Sequence, residues 1–290
     1  MIKEKTFIPI YFDALFYKVF GEEDKKKFLI YIIEETLKVK VKSIKILNGK
    51  VLGERFSTKR AYLDLLVALN DNTKLSIEIN SDPSRRILER NMLFLFKIMA
   101  NDVKISEEYK DLSSFIQINL NSEDNYKKSF EEYLLMEKKN HNILTDKLKI
   151  YQINLSFYTH KCYTSSTLDK LSDFEKLMGL IGSKTQEEYD IFTKEEGMLK
   201  DIMSTADKFR DDSEIIEMYD REMEINRIKE LEKQDALLKN TEEVTNKVTE
   251  EVTKIKAKDI ARNMLKENIA IDLVSKVTGL TIEEVNDLKK

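Results

Sequence analysis

Asp64 and Glu78 each set one carboxylate within a strand-like run, and paired carboxylates of this kind are suited to holding a divalent cation. In Thr73–Asn80 (TKLSIEIN), Leu75, Ile77 and Ile79 alternate with Lys74, Ser76, Glu78 and Asn80, the period-two pattern of a half-buried strand. In Arg60–Leu69 (RAYLDLLVAL), Tyr62, Asp64, Leu66 and Ala68 share one face. Asn70-Asp71-Asn72 between them suits a hairpin turn. If Leu69 pairs with Thr73, Asp64 falls opposite Glu78, with Cβ atoms ~5 Å apart. Two ionised carboxylates at that spacing repel by roughly 3 kcal/mol at an effective dielectric near 20. A cation between them reverses the sign, and one shared proton lessens the cost. Hard oxygen ligands favour Mg²⁺, with Mn²⁺ as the alternative. A shifted register, with one carboxylate at a solvated strand end, is the competing reading.

The elements that must position this pair read as an α/β domain. Phe12–Gly21 makes a short amphipathic helix stopping at Gly21, and roughly Lys25–Lys38 a second. Val41–Leu47 reads as a first strand before an Asn48-Gly49 turn and the two acidic strands. Asp82-Pro83 then opens a helix over Ser84–Ala100, with Asp as N-cap and Pro at the first position. Arg86, Arg90 and Lys97 fall on one stripe of that helix, suited to phosphates or to a salt-bridged edge. Strands are expected at Ser114–Leu120 and Ile150–Phe157, with a charged helix near Tyr126–Lys139 between them. Beyond Thr164 the pattern is helical: Leu168–Ile181, Gln186–Asp207, Asp211–Lys233 and Thr241–Lys254, then three short helices over Asp259–Lys290. Val244, Val248 and Val252 form a narrow stripe, while Gly279 and a Thr281/Glu284 capping box punctuate the tail.

Composition narrows the function classes. The 290 residues carry 49 basic against 53 acidic side chains, so nucleic acid must be met by a local basic patch rather than a net field. No apolar run of membrane-spanning length occurs, and the start MIKEKTFIPIYF lacks a secretory core, so a cytoplasmic protein without membrane association is expected. The single cysteine, Cys162, excludes an internal disulfide. His141, His160 and Cys162 lack zinc or nucleophile spacing, and no GxxxxGK[ST] loop supports a nucleotide-driven motor.

An opening of Asp13, Phe16, Lys18, Phe20 and Gly21, then a strand Asp, then Glu78-Ile79-Asn80, then Arg90 and Phe94 on a helix, occur in this order. The combination resembles the PD-(D/E)XK nuclease family transposases, the Rpn recombination-promoting nucleases. The resemblance implies a restriction-endonuclease-like mixed sheet flanked by helices, followed by an all-helical C-terminal extension. It implies Mg²⁺-dependent hydrolysis of DNA phosphodiesters with low sequence specificity, in recombination, mobile-element biology or defence. Asp64 and Glu78 match the motif acids, the main-chain carbonyl of Ile79 matches a further metal ligand, and Asn80 takes the last motif position. That position is Lys in the broad superfamily and more often Gln in this branch. Asn cannot act as a base and is one methylene shorter than Gln, so Lys59, Arg60 or Arg90 would supply a missing cation.

Asp13 has two readings, support of the site or capping of its helix, and capping is preferred. The expected division is a nuclease domain over 1–160, a helical accessory region over 161–226, a long connector over 227–258 and a helix-turn-helix-like tail over 259–290. Glu283, Glu284 and Asp287 suit the last helix to protein contact or homo-oligomerisation better than to a phosphate-lined groove. The alternative function is a catalytically weakened DNA-binding or scaffold protein assembling through that tail.

Overall fold

The computed structural model describes residues 6–47, 65–80, 87–102, 113–122, 128–165 and 167–288. Two helices, α1 (Asp13–Phe20) and α2 (Lys26–Leu37), lead into β1 (Ile44–Ile46), β2 (Leu65–Leu69) and β3 (Lys74–Asn80). Then follow α3 (Ile87–Asp102), β4 (Phe115–Asn121), β5 (Phe130–Met136) and β6 (Ile143–Asn154). The strands form one six-stranded mixed sheet in the order β1-β2-β3-β4-β6-β5. β1, β2 and β3 are successively antiparallel, β3, β4 and β6 are parallel, and β5 runs against β6. This is the α/β architecture expected, with helices on the sheet and a helical extension after it.

Leu75, Ile77 and Ile79 of β3, Ile118 and Leu120 of β4, and Ile153 of β6 point into the principal core. There they meet Phe16 and Phe20 of α1, Leu29 and Ile32 of α2, and three later helices: α4 (Leu155–Thr164), α5 (Asp173–Gly182) and, beyond the short α6 (Gln186–Asp190), α7 (Met198–Arg210). The segment expected as an accessory region therefore contributes α5, α7 and the end of α4 to the same core as the sheet.

The α4–α5 contact depends on glycine. A Cβ on Gly179 would come 2.6 Å from Cys162 Sγ, and one on Gly182 would come 2.9 Å from both the Leu155 carbonyl oxygen and Leu155 Cβ. A backbone carbonyl cannot rotate away, so Gly182→Ala is expected to cost about 1–3 kcal/mol through overpacking. Chemical denaturation would measure the loss, and an unchanged midpoint would contradict this account.

Three local expectations are corrected. The charged helix expected near Tyr126–Lys139 is instead β5, whose Phe130 pairs with Ile153 and Glu132 with Tyr151. Helix-favouring Glu and Lys were outweighed by the long β6 ladder, a case of tertiary pairing overriding propensity. The Glu137 carboxylate accepts from Lys139 N and Asn140 N, both at 2.6 Å, and His141 turns the chain at φ 58°. The strand expected over Ile150–Phe157 ends at Asn154, whose side chain accepts from Phe157 N at 3.1 Å and caps α4. The helix expected over Gln186–Asp207 is interrupted over 191–197, with Gly197 at φ 66° as the N-cap of α7, and so divides into α6 and α7.

The chain divides into two compact units, Met1–Asp220 and Arg221–Lys290. The expected helices Asp211–Lys233 and Thr241–Lys254 belong to one helix, α8 (Ser213–Lys266), because no proline or glycine occurs between its ends. In the second unit, the end of α8 packs with α9 (Ile271–Thr278) and α10 (Ile282–Asp287) around Ala261, Val274, Leu280 and Val285. Gly279 ends α9 at φ 71°, and Thr281 with Glu284 forms the capping box read from the sequence. Among the described residues no helix is long and apolar enough to cross a membrane.

Candidate active site

The second face of the sheet is polar where the parallel strands end. Residue alternation sends Ser76, Glu78 and Asn80 of β3 to the side opposite Ile77 and Ile79. Parallel pairing aligns Glu78 with Asn119 and Gln152, and Asn80 with Asn121 and Asn154. All six are buried, and they lie toward the carboxyl ends of the strands, where open α/β sheets place their ligands. Leu66, Phe115, Leu95 and Ile98 close the other end of this face as a small apolar cluster under α3.

Glu78 is the one acid among these six residues. It is 2 % exposed, and its Oε1 is buried without a hydrogen-bond partner among the described residues. Burial pushes its pKa up to about 8; Arg90 pulls it down and Asp13 pushes it further up. The pKa of Asp13 is also raised, by loss of water around its carboxyl, with Arg90 again opposing. The residue as a whole is nevertheless exposed, so its shift is weaker evidence than that of Glu78. Glu78, Asp13 and Arg90 thus form one electrostatic group.

The capping reading of Asp13 is corrected. The N-cap of α1 is Phe12, with extended backbone and no side-chain cap, and Asp13 is the first helical residue.

Arg90 rises from α3 and is gripped by amides. Its Nη2 donates to Asn80 Oδ1 at 2.8 Å and its Nε to Asn91 Oδ1 at 3.3 Å. Asn80 Nδ2 donates to Asn121 Oδ1 at 3.0 Å, and Asn121 Nδ2 to Gln152 Oε1 at 2.9 Å. The side chain of Ile79 lies in the apolar core, so its main chain is the part that could serve this face. Lys97 lies 5.9 Å over the Phe94 ring. Asp64, Lys59, Arg60 and Arg86 lie outside the described residues. Among the described residues no three His, Cys, Asp or Glu side chains converge as a metal site. The described hairpin pairs are Leu65↔Ile77, Leu66↔Ser76, Val67↔Leu75 and Ala68↔Lys74, the register read from the Asn70-Asp71-Asn72 turn.

Sequence reading passed over Asn91, Asn119, Asn121 and Gln152. The signal was present: the three central strands end Glu-Ile-Asn, Asn-Leu-Asn and Gln-Ile-Asn. Elsewhere, Lys18 pairs with Glu22 at 3.7 Å and lies over the Phe209 ring. Cys162 is buried, and burial pushes its thiol up to about 12, which makes it inert.

A mixed sheet carrying a buried acid beside an anchored arginine agrees with the comparison of the chain with known families. The family described as PD-(D/E)XK nuclease family transposase matches residues 10–236. The chain belongs to the PD-(D/E)XK nuclease family transposases. The C-terminal HTH domain of the Rpn/YhgA-like nuclease family matches residues 254–290, the region of the α8 end, α9 and α10. No curated protein and no solved structure matched the chain. Within this nuclease family, the polar end of the sheet is the candidate active site, and the HTH match points to DNA as a partner.

Proposed function

We propose that the chain is a metal-dependent DNA endonuclease of low sequence specificity. Asp64, Glu78 and the main-chain carbonyl of Ile79 would hold a divalent cation, Mg²⁺ or Mn²⁺. The observation that carries this reading is the buried, unpartnered Oε1 of Glu78 beside the acid Asp13. An unsatisfied buried carboxylate oxygen is costly, and a hard cation is the partner that would satisfy it. The hairpin register, carried one residue past Leu65↔Ile77, would bring Asp64 opposite Glu78.

Bound there, such an ion lowers the pKa of a water and polarises a phosphoryl oxygen. Arg90 would hold a non-bridging phosphate oxygen through charge-assisted hydrogen bonds. Arg86 and Lys97 would extend the contact along the DNA backbone, and Lys59 and Arg60 would add positive charge beside Asp64. Asn80 supplies neither charge nor base, so any role in orienting water falls to its remaining amide N–H. Phosphate contact at the cutting site is assigned to the core, while Glu283, Glu284 and Asp287 make α10 the less suited helix of the HTH-matched tail for lying in a groove. Recombination, mobile-element biology and defence against foreign DNA are the settings such an activity serves.

Supercoiled plasmid incubated with Mg²⁺ or Mn²⁺, beside Asp64→Ala and Glu78→Ala proteins, tests the reading. Metal-dependent nicking should fall on the order of 10³-fold in both variants. Equal activity in all three proteins rejects the site. DNA binding without cutting would favour a weakened, scaffold-like protein assembling through its helical tail.

A further inference from the structure

We propose that Asn91 and Asn80 are positioning residues that fix the Arg90 guanidinium beside Glu78, and that Asn80 serves the site chiefly through this grip. The inference rests on the nuclease reading and deepens it.

The direction of each hydrogen bond carries the argument. Asn91 is 1 % exposed, and its Nδ2 donates to Asn119 Oδ1 at 2.6 Å and to Asn80 Oδ1 at 3.2 Å. Asn119 Nδ2 donates in turn to the Tyr151 carbonyl at 3.3 Å. Gln117 Nε2 donates to the Asn91 main-chain carbonyl at 3.1 Å, tying α3 itself to β4. Turning the Asn91 amide over would set its oxygen against two acceptor oxygens and its NH₂ against a cation. Its Oδ1 is therefore committed to Arg90 Nε. Asn80 is committed in the same way, since donation to Asn121 turns its Oδ1 toward Arg90 Nη2.

Two amide oxygens thus meet the guanidinium at its Nε and Nη2. A guanidinium carries five N–H groups in a rigid plane, so fixing two of them orients the other three. Those three lie outside the amide ladder and are the ones a phosphate would take. A lysine from β3 could not be held in this way. The ladder explains how an asparagine at the last motif position coexists with a cation supplied from a helix.

The test pairs an activity-free readout with a kinetic one. In metal-free, DNA-free protein, the Arg90 Nε–H resonance, identified by its loss in Arg90→Lys, should exchange slowly with water. It should broaden or vanish in Asn91→Ala that retains a cooperative melt. In nicking assays Asn91→Ala should lower kcat by roughly ten- to a hundredfold with little change in KM, the usual range for residues that orient a functional group. In an Arg90→Ala background the same change should cost almost nothing. Free guanidinium at millimolar concentration should partly rescue Arg90→Ala but not Arg90→Ala/Asn91→Ala. If Asn91→Ala does not fold, Asn80→Ala takes its place and removes the Nη2 contact alone. A protected Nε–H that survives the substitution, or additive losses in the double variant, overturns the inference. Absence of nicking in the unaltered protein, with the Nε–H behaving as described, would reject the nuclease reading while leaving the amide grip standing.

Discussion

Glu78→Gln should abolish metal-dependent nicking and, in the same protein freed of metal by chelation, raise the thermal midpoint at pH 8. The two effects share one cause. Glu78 is buried with an unpartnered oxygen, and burial holds its pKa near 8 rather than at the ordinary 4.5. A carboxyl with a raised folded pKa keeps its proton in the folded state at pH values where the unfolded chain has released it. Stability is therefore present below about pH 4.5, falls as pH climbs toward 8, and levels off above that. The full loss is on the order of 3–5 kcal/mol for a shift of this size. Glutamine has nearly the same shape and no proton to lose, so its advantage should be small at pH 5 and largest at pH 8. A rise of roughly 5 °C or more at pH 8 is expected for a unit of this size, even after part of the gain is lost to imperfect amide bonding. Calorimetry at the two pH values, beside a plasmid assay, makes the measurement. A Glu78→Gln protein that melts lower at pH 8 than the unaltered protein would show that the carboxylate already has its partner. Such opposition of stability and activity is the mark of a strained functional site.

Divalent-cation affinity should fall steeply with acid. A cation can bind the ionised pair only by displacing the proton that Glu78 holds up to about pH 8. From the ionised fraction alone, affinity should drop roughly fifty-fold between pH 8 and pH 6. Asp13, also raised, adds to the effect because the two acids share one electrostatic group with Arg90. Titration calorimetry with Mn²⁺ in buffers of different ionisation enthalpy should register close to one proton released per ion at pH 6.5. The release should shrink above pH 8. A pH-independent affinity with no proton release would remove Glu78 from the ligand set. Arg90→Ala should move the onset of binding to higher pH, since the guanidinium favours the ionised form of both acids.

Much of this protein was legible along the chain. Alternation of Leu75, Ile77 and Ile79 with polar neighbours, together with the Asn70-Asp71-Asn72 turn, determined β2, β3 and their register. These are local facts, because period two and turn chemistry act between near neighbours. The ordered acidic, arginine and aromatic positions were enough to indicate the family. Helical character over 211–254 was legible, but the polar stretch between Lys233 and Thr241 divided on paper what is one helix, α8.

Tertiary structure decided the rest. Whether Phe130–Met136 became helix or strand depended on β6 offering a ladder, which no window of β5 reveals. Asp13 could be assigned beside Glu78 only once α1 was packed into the core. The amides of Asn80, Asn91, Asn119 and Asn121 were visible as letters, but their meaning was not. A buried amide has a direction, and that direction is set by donors and acceptors brought from four separate elements at once.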